Sequence, residues 1–266
     1  ACHLSLLPSL YKPSEVVRKS WILLAAFFVL FAVLPAHAEE SLPEYIKDLP
    51  ENLLQGTKES FRGWNLAILG VGGGAAIGLS QSDADNDVQD GADDSIGDFA
   101  TIGDIAGHPG TMFGVAISTY IVGRANKDEK IIETGKAIFE AQLITQTLTA
   151  LLKLSTGRER PDGSGDRITS SFPSGHAAGS FALASTVDAL HGHEIGIPLY
   201  ILAGFVGFSR LSDNKHFLSD VVFGAALGTI IGRGVATFHK QQAQKKIAIL
   251  PFADGRGAGL MLTMSF

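Results

Sequence analysis

The stretch Ser209-Arg210-Leu211-Ser212-Asp213-Asn214-Lys215-His216-Phe217-Leu218-Ser219-Asp220 runs directly into an apolar segment, residues 221–231, rich in small side chains. A helix whose first turn contains His216 carries Asp220 four residues on and on the same face. A carboxylate so placed holds one imidazole nitrogen as N–H and leaves the other free as a nucleophile. The pair alone does not decide this, because a His and an Asp at that spacing also occur as a solvated pair or as a charge at a helix start. From Asp220 the same four-residue step continues through Gly224, Gly228 and Gly232. Such a row lets a neighbouring helix press against the one that carries the histidine and hold it rigidly.

Two other stretches add chemistry. Lys153-Leu154-Ser155-Thr156-Gly157-Arg158-Glu159-Arg160-Pro161 gathers cations at the end of an apolar segment, and Phe172-Pro173-Ser174-Gly175-His176 places a hydroxyl, a glycine and a second histidine at the start of another. Each by itself reads equally as a solvated charge run or as an ordinary loop before a helix. In this order, however, the three resemble the signature of the type 2 phosphatidic acid phosphatase and vanadium haloperoxidase superfamily. That pattern is Lys, six residues, Arg-Pro; then Pro-Ser-Gly-His; then Ser-Arg, five residues, His, three residues, Asp. Every defined position is filled here, by Lys153, Arg160 and Pro161; by Pro173, Ser174, Gly175 and His176; and by Ser209, Arg210, His216 and Asp220. The resemblance covers roughly residues 65–238, of which only the motifs are diagnostic.

The resemblance implies a fold and a mechanism. The fold is an all-α, six-helix bundle. His216 attacks phosphorus to form a phosphohistidine, Asp220 orients it, and His176 protonates the leaving oxygen and then takes a proton from the hydrolytic water. Lys153, Arg160 and Arg210 clamp the phosphate oxygens, the two guanidinium groups with paired donors. Ser174 donates its hydroxyl, and Gly175 lets the backbone N–H approach at a helix start that favours anions. No metal and no cofactor is required, although vanadate fits as a phosphate mimic. The implied reaction is hydrolysis of a phosphomonoester or diphosphate in the envelope of a bacterium. If the helices span a membrane, the substrate is a lipid phosphate such as phosphatidate, phosphatidylglycerophosphate or a polyprenyl diphosphate. If the protein is soluble in the periplasm, a broad-specificity acid phosphatase is expected instead. A vanadium-dependent haloperoxidase and a non-enzymatic phosphate- or lipid-binding protein are the other classes open to the same constellation.

Bulk composition narrows the field. The chain has 266 residues, a formal charge of −6 and one cysteine, Cys2. No basic surface for nucleic acid is indicated. Arg18 and Lys19, the apolar run 21–34 and Ala36-His37-Ala38 form the three parts of a signal peptide, 1–38, an uncleaved anchor helix being the alternative. Residues 1–38 carry Lys12, Arg18 and Lys19 against Glu15, so cleavage takes the charge from −6 to −8 and removes the only thiol. Residues 39–63 read as a loop and a short amphipathic helix, lying on a membrane surface or capping the core. The run Asp83-Ala84-Asp85-Asn86-Asp87 opens like a calcium loop, but Val88 stands where an EF-hand needs Gly, which favours a solvated acidic loop.

Six apolar or amphipathic segments, at 64–80, 110–123, 135–154, 175–190, 195–208 and 217–238, make the helical domain 64–240. Most are shorter than a membrane span and are interrupted by His108, Glu140, Gln142, Gln146 and Asp188, residues suited to a bundle interior. Membrane-embedded and soluble forms both stay open, with the first preferred. Arg158 and Lys215 lie beside the motifs without occupying defined positions, and are expected either to tune substrate approach or to solvate the rim. His191 and His193 read as a surface turn rather than a metal site, and His108 as an interior or loop histidine. Residues 241–266 end in a hairpin signal, with Ala253-Asp254-Gly255-Arg256-Gly257 between two apolar runs, one of which would line a face with Leu260, Leu262, Met264 and Phe266.

Overall fold

The structure, a computed structural model, describes residues 42–165, 169–245, 247–254 and 257–264. The leader 1–38 with Cys2, the hairpin tip at 255–256 and the side chains of the hairpin face lie outside the described residues. Among the described residues there are nine helices rather than six. They are α1 (Leu42–Ser60), α2 (Trp64–Ser80), α3 (Ala84–Ala92), α4 (Phe99–Gly107), α5 (Pro109–Asn126), α6 (Glu129–Thr156), α7 (Gly175–His191), α8 (His193–Ser212) and α9 (Leu218–Lys245). The backbone strands β1 (Ile247–Asp254) and β2 (Gly257–Met264) pair antiparallel, with Asp254 opposite Gly257.

Of the three helices outside those six segments, α1 is the amphipathic helix expected within 39–63, and α3 and α4 are only nine residues each. The acidic run is helical rather than a loop: Asp85 and Asp87 stand in the first turn of α3, where negative charge complements the helix dipole. α4 stops at His108, whose extended backbone is what a residue before proline prefers, and Pro109 then opens α5 at a position where its missing N–H costs nothing. The longer helices have firmer ends. Asp128 caps α6 by accepting from Ile131 N at 3.1 Å, and Gly157 terminates it in the left-handed conformation at φ 58°. His216 lies just before α9 rather than in its first turn, whereas Asp220 is within that turn.

The tightest seam joins α7 to α9, along the glycine row expected from the sequence. A Cβ at Gly224 would sit 2.6 Å from Ser174 O, at Gly228 2.0 Å from Ala178 O, and at Gly232 2.3 Å from Ala182 O. Only glycine permits that approach, and α7 answers with Ala177, Ala178, Ala182 and Ala184, all fully buried. α6 closes the core on a second side, where Ala137, Ala141 and Ile144 meet Leu227, Ile230, Ile231 and Val235 of α9. Met112 and Ala116 of α5 join Ile138, Leu183 and Val187 in a smaller cluster.

The polar interruptions of α6 face inward. Glu140, fully buried, accepts from Asn52 Nδ2 of α1 at 3.1 Å and lies 2.9 Å from His239 Nε2 of α9. Gln142 Nε2 donates to Gly179 O at 2.8 Å. α8, and α9 as far as Gln244, are long and apolar enough to cross a membrane; α1 and α2, bent by 69°, make up to a third span if taken together.

Gly228→Leu is expected to destabilise the protein by about 3 kcal/mol or more, since overpacking here pushes on backbone rather than on a movable side chain. Gly74→Ala, on α2 with open space where a Cβ would go, is expected to be neutral or to stabilise by up to about 1 kcal/mol. Thermal unfolding in detergent compares them, and a Gly228→Leu protein as stable as wild type would remove the seam from this account.

Candidate active site

The C-terminus of α6, the following loop, and the facing ends of α7, α8 and α9 meet at one end of the bundle, held by backbone hydrogen bonds. Ser171 N donates to Arg158 O at 2.8 Å, Ser174 N to Asp220 O at 3.1 Å, and His216 N to Arg210 O at 3.3 Å. Residues more than 60 positions apart are thereby brought to one place. Ser174 caps α7 through Ala177 N at 3.4 Å and is fully buried. His176 follows in the first turn. A Cβ at Gly175 would meet Thr149 at 3.4 Å, an ordinary contact, so packing within the protein does not itself demand glycine there.

His216 and Asp220 are adjacent and both buried, but they are not hydrogen-bonded. His216 Nδ1 lies 3.7 Å from Asp220 Oδ2 and has no hydrogen-bond partner. The carboxylate is occupied elsewhere. It accepts from Arg158 Nη1 at 2.7 Å, from Phe217 N at 2.8 Å and from Ser171 Oγ. Burial, reinforced by the charges of Lys153 and Arg160 against that of Asp220, pushes the His216 imidazole down to about 4. It is therefore neutral at neutral pH, with a lone pair to offer.

Arg158 is not a rim cation. Its guanidinium reaches inward to Asp220 and Ser219 Oγ, at 2.7 Å each, and to Asp85 Oδ2 at 2.9 Å, and it stacks 4.3 Å from the Phe217 ring centroid. Asp85, from the supposedly solvated acidic stretch, is buried and also accepts from Ser219 N at 2.8 Å. Lys215, by contrast, does lie at the surface, paired with Asp162 at 2.5 Å. The inward path of Arg158 was invisible in sequence because its two carboxylates come from other helices, 62 and 73 residues away.

Of the three proposed clamp cations, Lys153 donates to Ser170 O and is drawn down to about 8 by burial and by Arg160, which leaves it charged at neutral pH. Arg160 donates through Nε to Thr169 O at 2.8 Å. Arg210 is buried and largely committed to the protein: Nε to Ser209 Oγ at 3.2 Å, Nη2 to Ala100 O at 3.2 Å and Asp213 Oδ2 at 2.6 Å, and Nη1 to Asp104 Oδ1 at 2.5 Å. A guanidinium has five N–H donors. The paired fork expected to face an anion is thus engaged, and a second Nη1 hydrogen remains. The same Asp104 oxygen lies 3.1 Å from His176 Nε2, without the alignment of a hydrogen bond. Asp104 was missed in sequence; it belongs to a short helix with no motif.

His108 caps α5 and faces His176 edge-on, with ring centroids 6.2 Å apart. His191 lies 2.7 Å from Thr134 Oγ1, and His193 lies 2.7 Å from Asp188 Oδ1. Among the described residues no group of three or more His, Cys, Asp or Glu side chains is arranged to hold a metal ion.

Residues 136–244, which contain all three motifs, match the family model of the PAP2 superfamily. A lipid A 1-phosphatase of Porphyromonas gingivalis is 41% identical over 83 residues, covering 30% of this chain and 18% of that protein. A decaprenylphosphoryl-5-phosphoribose phosphatase of Mycobacterium tuberculosis is 31% identical over 112 residues, covering 39% and 61% respectively. The crystal structure of a transmembrane PAP2-type phosphatidylglycerolphosphate phosphatase from Bacillus subtilis superposes with a TM-score of 0.45 at 18% identity, over 66% of this chain and 96% of that one. The chain spans less than two thirds of the length of the curated relatives it matches.

Arg158→Ala leaves two buried carboxylates, Asp85 and Asp220, without their shared cation. A loss of roughly 3 kcal/mol is expected, the lower end for a broken buried pair because Arg158 is partly exposed. Adding Asp85→Asn to that variant is expected to restore part of the loss. Unfolding midpoints of the two proteins give the comparison; equal stability of Arg158→Ala and wild type would show that the pairing contributes nothing.

Proposed function

Taking as premise that its segment 136–244 belongs to the PAP2 superfamily, we propose that this protein is a phosphoester hydrolase acting on a lipid-linked phosphomonoester or diphosphate through a phosphohistidine at His216. The observation that carries the proposal is a buried imidazole 3.7 Å from a buried, arginine-paired carboxylate, at the bundle end where the three motifs meet.

Attack on a phosphate ester needs a nucleophile in line with the leaving group and fixed positive charge around the equatorial oxygens. Nδ1 of His216 faces Asp220, so Nε2 carries the attacking lone pair. As the N–P bond forms and the P–O bond breaks, His176 gives a proton to the departing oxygen. It then takes one from the water that attacks the phosphohistidine and regenerates His216. Asp220, ion-paired with Arg158, stabilises the positive charge that develops on the attacking ring. Lys153 and Arg160 hold the phosphate oxygens, Arg210 adds charge and its remaining N–H, and Ser174 and the Gly175 amide complete the cradle at the start of α7. None of these steps calls for a metal ion.

Two helices able to cross a membrane and the lipid phosphates named in the relatives support a membrane-embedded enzyme with a lipid substrate. The site then sits at a bundle end, where a phosphate head group is reached without burying its charge in hydrocarbon. A periplasmic face fits the expected secretion signal.

Phosphate release by purified protein in EDTA, from an aryl phosphate and from a polyprenyl diphosphate in detergent, tests this. Release that persists in EDTA and disappears in His216→Ala is expected. Because the nucleophile is lost by protonation, kcat/KM is expected to fall as pH drops toward about 4 and to be independent of this group above it. Unchanged turnover in a folded His216→Ala protein would rule out the histidine route.

A further inference from the structure

We propose that Asp104 is a positioning residue of the leaving-group side, one carboxylate oxygen that fixes Arg210 and His176 relative to each other. This rests on the phosphatase reading above and extends it to a helix, α4, that lies outside the matched segment and outside every motif.

Asp104 Oδ1 is 2.5 Å from Arg210 Nη1 and 3.1 Å from His176 Nε2. The two groups it joins come from the C-terminus of α8 and the N-terminus of α7, which no hydrogen bond between their side chains otherwise ties. α4 is held close enough for this by glycine. A Cβ at Gly103 would fall 2.1 Å from Ser209 Oγ, and one at Gly107 would fall 2.4 Å from Val206 Cγ1 and 3.0 Å from the His176 ring. Ala100, Gly103, Asp104 and Gly107 thus form the inner face of α4, while Phe99, Ile102 and Ile105 point outward, all more than half exposed. A nine-residue helix that approaches the histidine through glycine and presents one carboxylate there is doing more than filling space.

The charged and titratable groups that face His176 are Asp104 on α4, Arg210 on α8 and His108 at the start of α5. Burial lowers the proton affinity of His176, as do Arg210 and His108, and Asp104 alone among them opposes that. A general acid must hold its proton until the leaving group takes it. Asp104 therefore holds the ring by charge at 3.1 Å, without an aligned hydrogen bond, and keeps it able to act as an acid. Reciprocally, Asp104 is held at about 2, chiefly by His176 with help from Arg210, and remains ionised throughout the working range.

Asp104→Asn keeps the shape and removes the charge. Two readouts separate positioning from a structural role. The first is kcat/KM for an alkyl phosphate, whose leaving oxygen needs a proton, against p-nitrophenyl phosphate, whose leaving group does not. A loss of roughly tenfold or more is expected for the alkyl ester and a much smaller one for the aryl ester, with the basic limb for the alkyl ester moving to lower pH. The second is the titration of His176 followed by NMR in detergent, expected to move to lower pH whether or not turnover is measured. Should Asp104→Asn not fold, Asp104→Ser serves in the same comparison. Equal losses for both esters with an unmoved His176 titration would overturn the proposal. Absence of phosphate release in wild type would overturn the phosphatase reading instead, and the titration would still decide whether Asp104 acts on His176.

Discussion

Asp220 is a carboxylate with no solvent exposure, and much of the site exists to keep it charged there. An ionised carboxylate in such surroundings is costly unless it is paired and its lone pairs are filled. Arg158 supplies the cation, and Ser171 and the Phe217 amide supply the remaining donors. Arg158 in turn requires Asp85, and Asp85 requires Ser219, so α3, the loop after α6 and the start of α9 are bound into one arrangement. The nucleophile candidate lies against this assembly without being hydrogen-bonded to it. His216 is thus held by its surroundings, and its ring sits in a field set by a carboxylate that the rest of the network has already satisfied.

A second constraint is steric. The α7–α9 seam lets two helices approach so closely that a single methyl group at Gly224, Gly228 or Gly232 would meet a backbone carbonyl. That seam ties the helix bearing His176 to the helix that follows His216, so the two histidines inherit the rigidity of the core. α4 uses the same device on the other side, where Gly103 and Gly107 bring Asp104 to Arg210 and His176. The candidate site is built on close backbone contact, with most of its charged side chains gathered near helix ends.

Charge is also segregated along the bundle. At one end of α6 and α9 it surrounds the candidate site; farther along the same helices Glu140 and His239 form a second buried polar cluster with Asn52. Between them lie Ala141 and Ile144 of α6 and Ile230 and Ile231 of α9. Apolar packing carries the middle of the bundle, which is what a chain with helices long enough to span a membrane requires.

The sequence by itself determined the motif residues, the helices that carry them and the glycine row, because each of these is a local pattern: a fixed spacing, a run of apolar residues, a period of four. It also placed Glu140 and Gln142 in a bundle interior, since polar residues within apolar helices have few other places to go. What it did not contain was partnership. Arg158 looked like a surface charge and Asp85 like part of a solvated loop, because each is polar, isolated and flanked by polar neighbours; Asp104 stood in a helix too short to register. The commitment of Arg210 to protein carboxylates, and the distance between His216 and Asp220, follow from how helices far apart in the chain dock. Only tertiary structure decides which charge meets which, since Coulomb energy and desolvation depend on separation in space and not on separation in sequence.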